Sequence, residues 1–218
     1  MRRGRRRPAG APALNVEPLR SLRLRTPRLE LRLPTRDELV ELFRVAEAGI
    51  HPPDEMPFGR AWTDELDLGR FLEFHESALA SWTPERWDLN LVTFLDGEPI
   101  GSQALHGYGF GLTREVGSGS WLGMPYQGRG FGTEQRAAVL ELAFVGLGAR
   151  AAHSGALVHN LASQRVSEKL GYRFAFEDTV SPRGEPIPHR NYRLAREDWR
   201  SPVPVEIEGL EPALFGVS

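Results

Sequence analysis

Leu22 to Leu33 alternates apolar and basic residues, with Leu22 and Leu24, then Leu29, Leu31 and Leu33, on one side. A period of two predicts a half-buried strand, interrupted at Pro27. The period then changes. Thr35 followed three residues on by Glu38 reads as a capping box, opening a helix over 36–48 with Leu39, Leu42, Phe43 and Ala46 on its apolar face. Gly49 ends it, and His51 to Phe58 forms a proline-stiffened loop. Thr63 and Asp64 are expected to start a second helix, through Leu66, Phe71, Phe74 and Leu79 to about Ser81.

Leu89–Leu95 and Ile100–Gly107 pair as a hairpin across Asp96-Gly97-Glu98-Pro99. A strand over Ser118 to Leu122, a helix over Glu134 to Leu147, a strand over Ala151 to Val158 and a helix over Ala162 to Leu170 follow. Phe174–Val180 and Arg190–Leu194 close the series. The order β-α-α-β-β-β-α-β-α-β-β predicts an α/β fold, a mixed sheet with helices on both faces. The expected boundaries are a disordered basic tail over 1–20, one domain over 21–200, and a Pro-rich, then apolar, tail over 201–218.

Composition adds limits. A chain of 218 residues can bury one proper core. It has no cysteine, hence no disulfide, no thiolate metal site and no cysteine nucleophile. No metal is called for. No apolar run approaches a membrane span, and the N-terminal arginines lack the apolar run of a signal peptide, so a cytoplasmic protein is expected. Residues 1–36 hold 11 arginines and 2 acids, whereas residues 37–98 hold 15 acids and 4 arginines. The arginine tail reads as solvated chain, with nucleic-acid or ribosome contact as the alternative. The acidic stretch is either a solvated face or a field that draws in a cationic amine.

Gln127-Gly128-Arg129-Gly130-Phe131-Gly132-Thr133 lies between the central strand and the helix that follows it. Glycines leave room for a ligand against the backbone, and a helix N-terminus offers unpaired N–H groups and a positive dipole end. Together they make a phosphate cradle. No lysine precedes Thr133, so this is not a P-loop. The spacing is Gly-x-Gly-x-Gly with no acid about twenty residues downstream, so it is not a dinucleotide fingerprint. It matches Gln/Arg-x-x-Gly-x-Gly/Ala, a coenzyme A pyrophosphate cradle, at every fixed place. A glycine-rich turn without a ligand is the bland alternative.

A second segment, Asn160-Leu161-Ala162-Ser163-Gln164-Arg165-Val166-Ser167-Glu168-Lys169-Leu170-Gly171-Tyr172, follows the next strand. With the glycine loop, over about residues 22–200, it resembles the GNAT superfamily of acyl-CoA N-acyltransferases, closest to the branch of ribosomal-protein N-terminal acetyltransferases. The resemblance implies acetyl-CoA or another acyl-CoA as co-substrate. It implies that Gln127, Gly128, Arg129, Gly130, Phe131, Gly132 and Thr133 hold the pyrophosphate. Trp121, Leu122 and Gly123 would pair with the pantetheine arm, and a main-chain N–H near Leu122 would stabilise the oxyanion. Asn160 would bond the arm, Ser163 would assist the departing thiolate, and Arg165 or Lys169 would reach the 3′-phosphate.

Each of these residues also has a structural reading. Asn160 is a good N-cap, Trp121 a core residue, and Lys169 a solvated charge. Tyr172 is a second candidate acid and an expected core aromatic. Glu115, His106 and His153 are candidate bases, and a water relay needs none. Ser118, Gly119, Ser120 and Gly123 could leave room for a larger acyl such as succinyl, met by a basic residue such as Arg114. The acceptor is expected to be a primary amine, of a protein N-terminus or a small molecule. The loop at His51–Phe58 and the turn Gly107-Tyr108-Gly109-Phe110-Gly111 would line its site. A CoA-binding sensor without transfer, an interaction protein acting through its tails, and a homo-oligomer stay open.

Overall fold

The computed structural model describes residues 14–217. Nine strands form one sheet in the order β7-β8-β6-β5-β4-β3-β2-β1-β9. The alternating run at the start is two strands, β1 (Arg23–Arg25) and β2 (Leu29–Arg32), paired antiparallel with Leu24 opposite Leu31. Pro27 sits in the turn between them, so the predicted interruption is a reversal of the chain. Helix α1 (Arg36–Glu47) starts with the expected capping box, Thr35 accepting from the Glu38 N–H and Glu38 from the Thr35 N–H.

Helix α2 (Leu68–Ala80) begins later than predicted. Its cap is Asp67, whose carboxylate accepts from the Arg70 N–H at 2.8 Å. Asp64, the expected starter, is instead held by Arg183 through two bonds of 2.8 and 2.7 Å.

Strands β3 (Arg86–Leu95) and β4 (Glu98–Tyr108) make a longer hairpin with a tighter turn than expected. Asp96 and Gly97 both take positive φ, 53° and 87°, the geometry that matches strand twist in a two-residue turn. After the short helix α3 (Phe110–Thr113), which the sequence did not announce, come β5 (Glu115–Leu122), α4 (Phe131–Glu141), β6 (Ala151–Leu157), α5 (Leu161–Lys169), β7 (Arg173–Val180) and β8 (Ile187–Ala195). The last turn of α4 continues as a π turn over Leu142–Gly146.

Neighbouring residues of a strand face opposite sides of the sheet, and the core divides accordingly. Leu89 and Leu91 join Ala137, Ala138 and Leu140 of α4, while Val92 and Phe94 join Leu39, Leu42 and Phe43 of α1 and Phe71 and Leu72 of α2.

Segments near both ends of the described chain pack on the sheet. Residues 1–13 of the basic tail lie outside the described residues. From Glu17 to Ser21 the chain forms a 3-10 turn with Leu19 buried. At the other end, β9 (Glu206–Glu208) adds to the sheet beside β1, and Leu214 and Phe215 are buried in the main core. No helix among the described residues is long and apolar enough to cross a membrane.

Glu38 ties α1 to the sheet. Its carboxylate takes two bonds from Arg32, at 2.8 and 2.5 Å, besides the Thr35 N–H. Those bonds hold its pKa down at about 2, against an ordinary 4.5. A depressed carboxylate stabilises the fold above its unfolded pKa and loses that contribution as pH falls through the folded one. Glu38→Gln is therefore expected to cost about 2 kcal/mol at neutral pH after allowance for partial exposure. Denaturant melts of the two proteins should converge between pH 4.5 and 2.

Candidate functional site

Gly130 caps α4 at φ 85°, and Gly128 turns the loop at φ 72°. These angles turn the backbone so that its N–H groups are left over. Among the described residues, none of the five N–H groups from Gly128 to Gly132 donates to a protein atom. The next two, of Thr133 and Glu134, donate to the Gly130 carbonyl at 3.1 Å. Five free donors at the positive end of a helix are a site for a multiply charged anion.

The cradle is braced from a distant strand connection. Glu134, 4% exposed, accepts from the Thr26 hydroxyl at 2.7 Å, the Arg28 N–H at 3.1 Å and Arg28 Nε at 2.7 Å. The Arg28 guanidinium also donates to the Arg129 carbonyl and lies 4.4 Å from the Phe131 ring centroid, with the Arg129 guanidinium at 5.0 Å. Gln127 points away from the loop. Its amide donates to Ile50 and Leu122 carbonyls at 2.6 and 2.8 Å, fixing the end of β5 to the end of α1.

Beside the cradle the sheet splits. Strands β5 and β6 pair in parallel from Glu115 opposite Ala151 to Ser118 opposite Ser154, and no further. Beyond that pair β5 runs on with β4 to Leu122, and β6 runs on with β8 to Leu157. The Gly123 N–H bonds the Ile100 carbonyl, so by antiparallel alternation the Leu122 N–H points away from β4, into the gap. Trp121 faces the α1–α2 side, 5.8 Å from the Trp62 ring centroid, while Leu122 is buried toward α4. A Cβ at Gly123 would overlap Val45 of α1, so glycine is needed there for packing.

Asn160 and Ser163 stand at the start of α5, on the β6 side of the gap. Asn160 is the N-cap: its side-chain oxygen accepts from the Ser163 N–H at 3.0 Å, and its amide donates to the Pro57 carbonyl at 3.1 Å. Ser163 is half-buried, and its hydroxyl makes no hydrogen bond among the described residues. The proline-stiffened loop thus crosses from the end of α1 to α5, where His159 also bonds the Met56 carbonyl. The Asp64–Arg183 pair ties the loop to the β7–β8 connection. His51 and Phe58 of the loop pack edge-to-face, and Phe58, Trp62 and Trp121 follow at tilted angles, with successive centroids 5.5–5.8 Å apart.

Arg136 occupies the inner end of the gap on the α4 side, and the sequence reading passed over it as a helix residue. It is 4% exposed, and among the described residues its guanidinium bonds only hydroxyls: Ser154 and Ser120 at 3.1 Å and Ser167 at 3.0 Å. Burial draws its pKa below the ordinary guanidinium value. Arg114 is elsewhere, against the Phe110 ring and the Leu147 carbonyl. Tyr172 is buried next to Arg136, and burial raises its pKa.

Glu115 opens β5 rather than preceding it. It meets His153 at 3.1 Å and Arg193 at 3.5 Å at the closed end of the gap. His106 packs over Gly117 and stacks on Tyr108 at 5.1 Å, and burial lowers its pKa. Arg165 and Lys169 are exposed on α5.

A parallel strand pair that parts beside a helix N-terminus with free donors makes a site for an extended ligand that carries phosphate. The family model for the acetyltransferase (GNAT) domain matches residues 28–173, and the chain belongs to that family. Among solved structures it is similar to Mycobacterium smegmatis RimJ in complex with CoA-disulfide, at 20% identity and TM-score 0.71, over 83% of this chain and 90% of that one. It is similar to RimL, a ribosomal L7/L12 α-N-protein acetyltransferase in complex with coenzyme A, at 13% identity and TM-score 0.66, over 78% and 95%. A third is the microcin C7 self-immunity acetyltransferase MccE in complex with acetyl-CoA and AMP, at 16% identity and TM-score 0.62, over 78% and 93%. At such identities the likeness is one of fold.

Proposed function

We propose that the protein is an acyl-CoA-dependent N-acyltransferase that moves an acetyl group to a primary amine by direct attack. The observation that carries this reading is the gap between β5 and β6, bordered by five unused N–H groups from Gly128 to Gly132. A pyrophosphate fits the cradle, and an extended amide arm fits a strand edge whose outward groups lack a partner strand. The Leu122 N–H supplies a fixed donor where the thioester oxygen gains charge; one such donor is worth up to about 4 kcal/mol. Ser163, with an uncommitted hydroxyl at the gap, protonates or hydrogen-bonds the departing thiolate. Asn160 keeps its cap and has a second amide hydrogen for the arm.

Thiol release from acetyl-CoA is the test. Ser163→Ala is expected to lower kcat about 100-fold with acetyl-CoA affinity held within about twofold, the pattern of a group that acts on transfer. Unchanged kcat would remove Ser163 from the reaction.

Arg136 favours a second cargo on the same site. A buried cation whose partners are hydroxyls is a costly arrangement that an anionic ligand group would relieve. An acyl chain ending in a carboxylate, such as succinyl, would bring that group to Ser120 and Arg136.

A further inference from the structure

We propose that His189, held by Asp178, is the base that takes the proton from the acceptor nitrogen. The proposal rests on the acyl-transfer reading above. Asp178 and His189 are directly opposed on β7 and β8, and the Asp178 carboxylate accepts from His189 Nδ1 at 2.9 Å. Asn191 donates to the same oxygen at 2.8 Å and fixes its position. With the proton of the neutral ring on Nδ1, the lone pair is on Nε2.

That nitrogen points along the sheet toward the gap. A Cβ at Gly155 would overlap His189 Nε2 and Cε1. Gly155 is the first residue of β6 beyond the last β5–β6 pair, Ser118 with Ser154, and Gly119 is the first residue of β5 beyond it, with open space where a Cβ would stand. The ring therefore overhangs the point where the strands part, on the face covered by the acceptor-side loop. Glu115, His153 and His106 lie toward the closed end, and Glu115 is engaged by His153 and Arg193.

The step balances. The amine nitrogen attacks the thioester carbonyl carbon, the C–N bond forms and the C–S bond breaks. Nε2 of neutral His189 takes the proton the nitrogen sheds, the departing thiolate takes a proton from the Ser163 hydroxyl, and solvent returns one proton to Ser163 and removes the one on His189. Asp178 is a positioning residue: it sets the tautomer and does not touch the acceptor. The ionisable groups that share this face are Asp178 and Arg173 on β7, Arg193 on β8, His153 on β6, Glu115 on β5, His106 and Tyr108 on β4, and Asp88 and Arg86 on β3. His159 and the Asp64–Arg183 pair lie on the adjoining connections.

The test is the pH profile of thiol release from acetyl-CoA, with water and then benzylamine as nucleophile, for wild type, His189→Gln and Asp178→Asn. His189→Gln is expected to lose about 100-fold in rate and the acidic limb of the profile, with acetyl-CoA affinity unchanged. Asp178→Asn should keep a limb but lose roughly tenfold. Modification of His189 by diethyl pyrocarbonate, mapped by mass spectrometry, should be blocked by acetyl-CoA. A His189→Gln protein that keeps its limb and rate, or a ring modified equally with and without acetyl-CoA, overturns the base and leaves acyl transfer standing. A folded wild type that binds no acetyl-CoA overturns both.

Discussion

Gly132→Asp is expected to weaken acetyl-CoA binding by about 100-fold while leaving the fold as stable as before or slightly more so. The two effects separate at this position alone among the three loop glycines. Gly128 and Gly130 have positive φ, where any side chain costs about 1–2 kcal/mol of fold stability whatever it does to the ligand. Gly132 has an ordinary helical conformation in the first turn of α4, and a Cβ there would meet Leu122 and Val166 at a relaxed 3.8 Å. An acid in a first helical turn is favoured by about 0.3–1 kcal/mol through the dipole, and replacing glycine in a helix helps further. The same carboxylate would stand in the helix turn that carries the free N–H groups of Gly128 to Gly132, where a like charge about 4 Å from a bound pyrophosphate costs up to about 4 kcal/mol at surface dielectric values, less after screening. Calorimetric titration and a thermal melt on one preparation check both halves. Intact binding would move the pyrophosphate off this helix.

Phe215→Ala is expected to cost about 3–5 kcal/mol, a drop of roughly 10 °C in Tm. Phe215 is fully buried, edge-on to Trp82 at 5.3 Å and to Trp87 at 5.0 Å, and these two indoles stack on each other at 5.7 Å. The Trp82 indole N–H donates to the Leu214 carbonyl at 2.7 Å, so losing the segment also leaves a buried donor without its acceptor. Truncation before Pro212 should be worse than the point change. A melt within 1–2 °C of wild type would show that the tail packs on the domain without supporting it.

What the sequence disclosed was local. The capping box at Thr35 and Glu38 and the glycine loop before α4 are settled by neighbours in the chain and formed where expected, and the hairpin expected across Asp96 to Pro99 formed with its turn narrowed to Asp96-Gly97. What it withheld needs pairing across distance. Asp64 has the chemistry of a helix start, but its carboxylate goes to Arg183, 119 residues away, and Asp67 takes the cap. Arg28 and Glu134 are separated by 106 residues, so the brace under the cradle had no sequence signal.

His189 lies just outside the strand expected over Arg190–Leu194, which in the structure begins at Ile187, and its role depends on a β7–β8 register that shifts at an irregularity between Phe174 and Phe176. A one-residue slip would turn His189 to the other face. Arg136 closes the polar run Thr133-Glu134-Gln135-Arg136 and is followed by the apolar run Ala137 to Leu140, so the chain around it gives no clear sign of burial. Helical periodicity alone does not tell a buried charge from a solvated one.

Calorimetric titration of the wild-type protein with acetyl-CoA, succinyl-CoA and CoA decides whether the β5–β6 gap takes an acyl-CoA. Saturable binding of one acyl-CoA per chain is expected. Tighter binding of succinyl-CoA than acetyl-CoA would assign Arg136 to the cargo. No binding of any of the three to folded protein would contradict the reading of the β5–β6 gap as an acyl-CoA site.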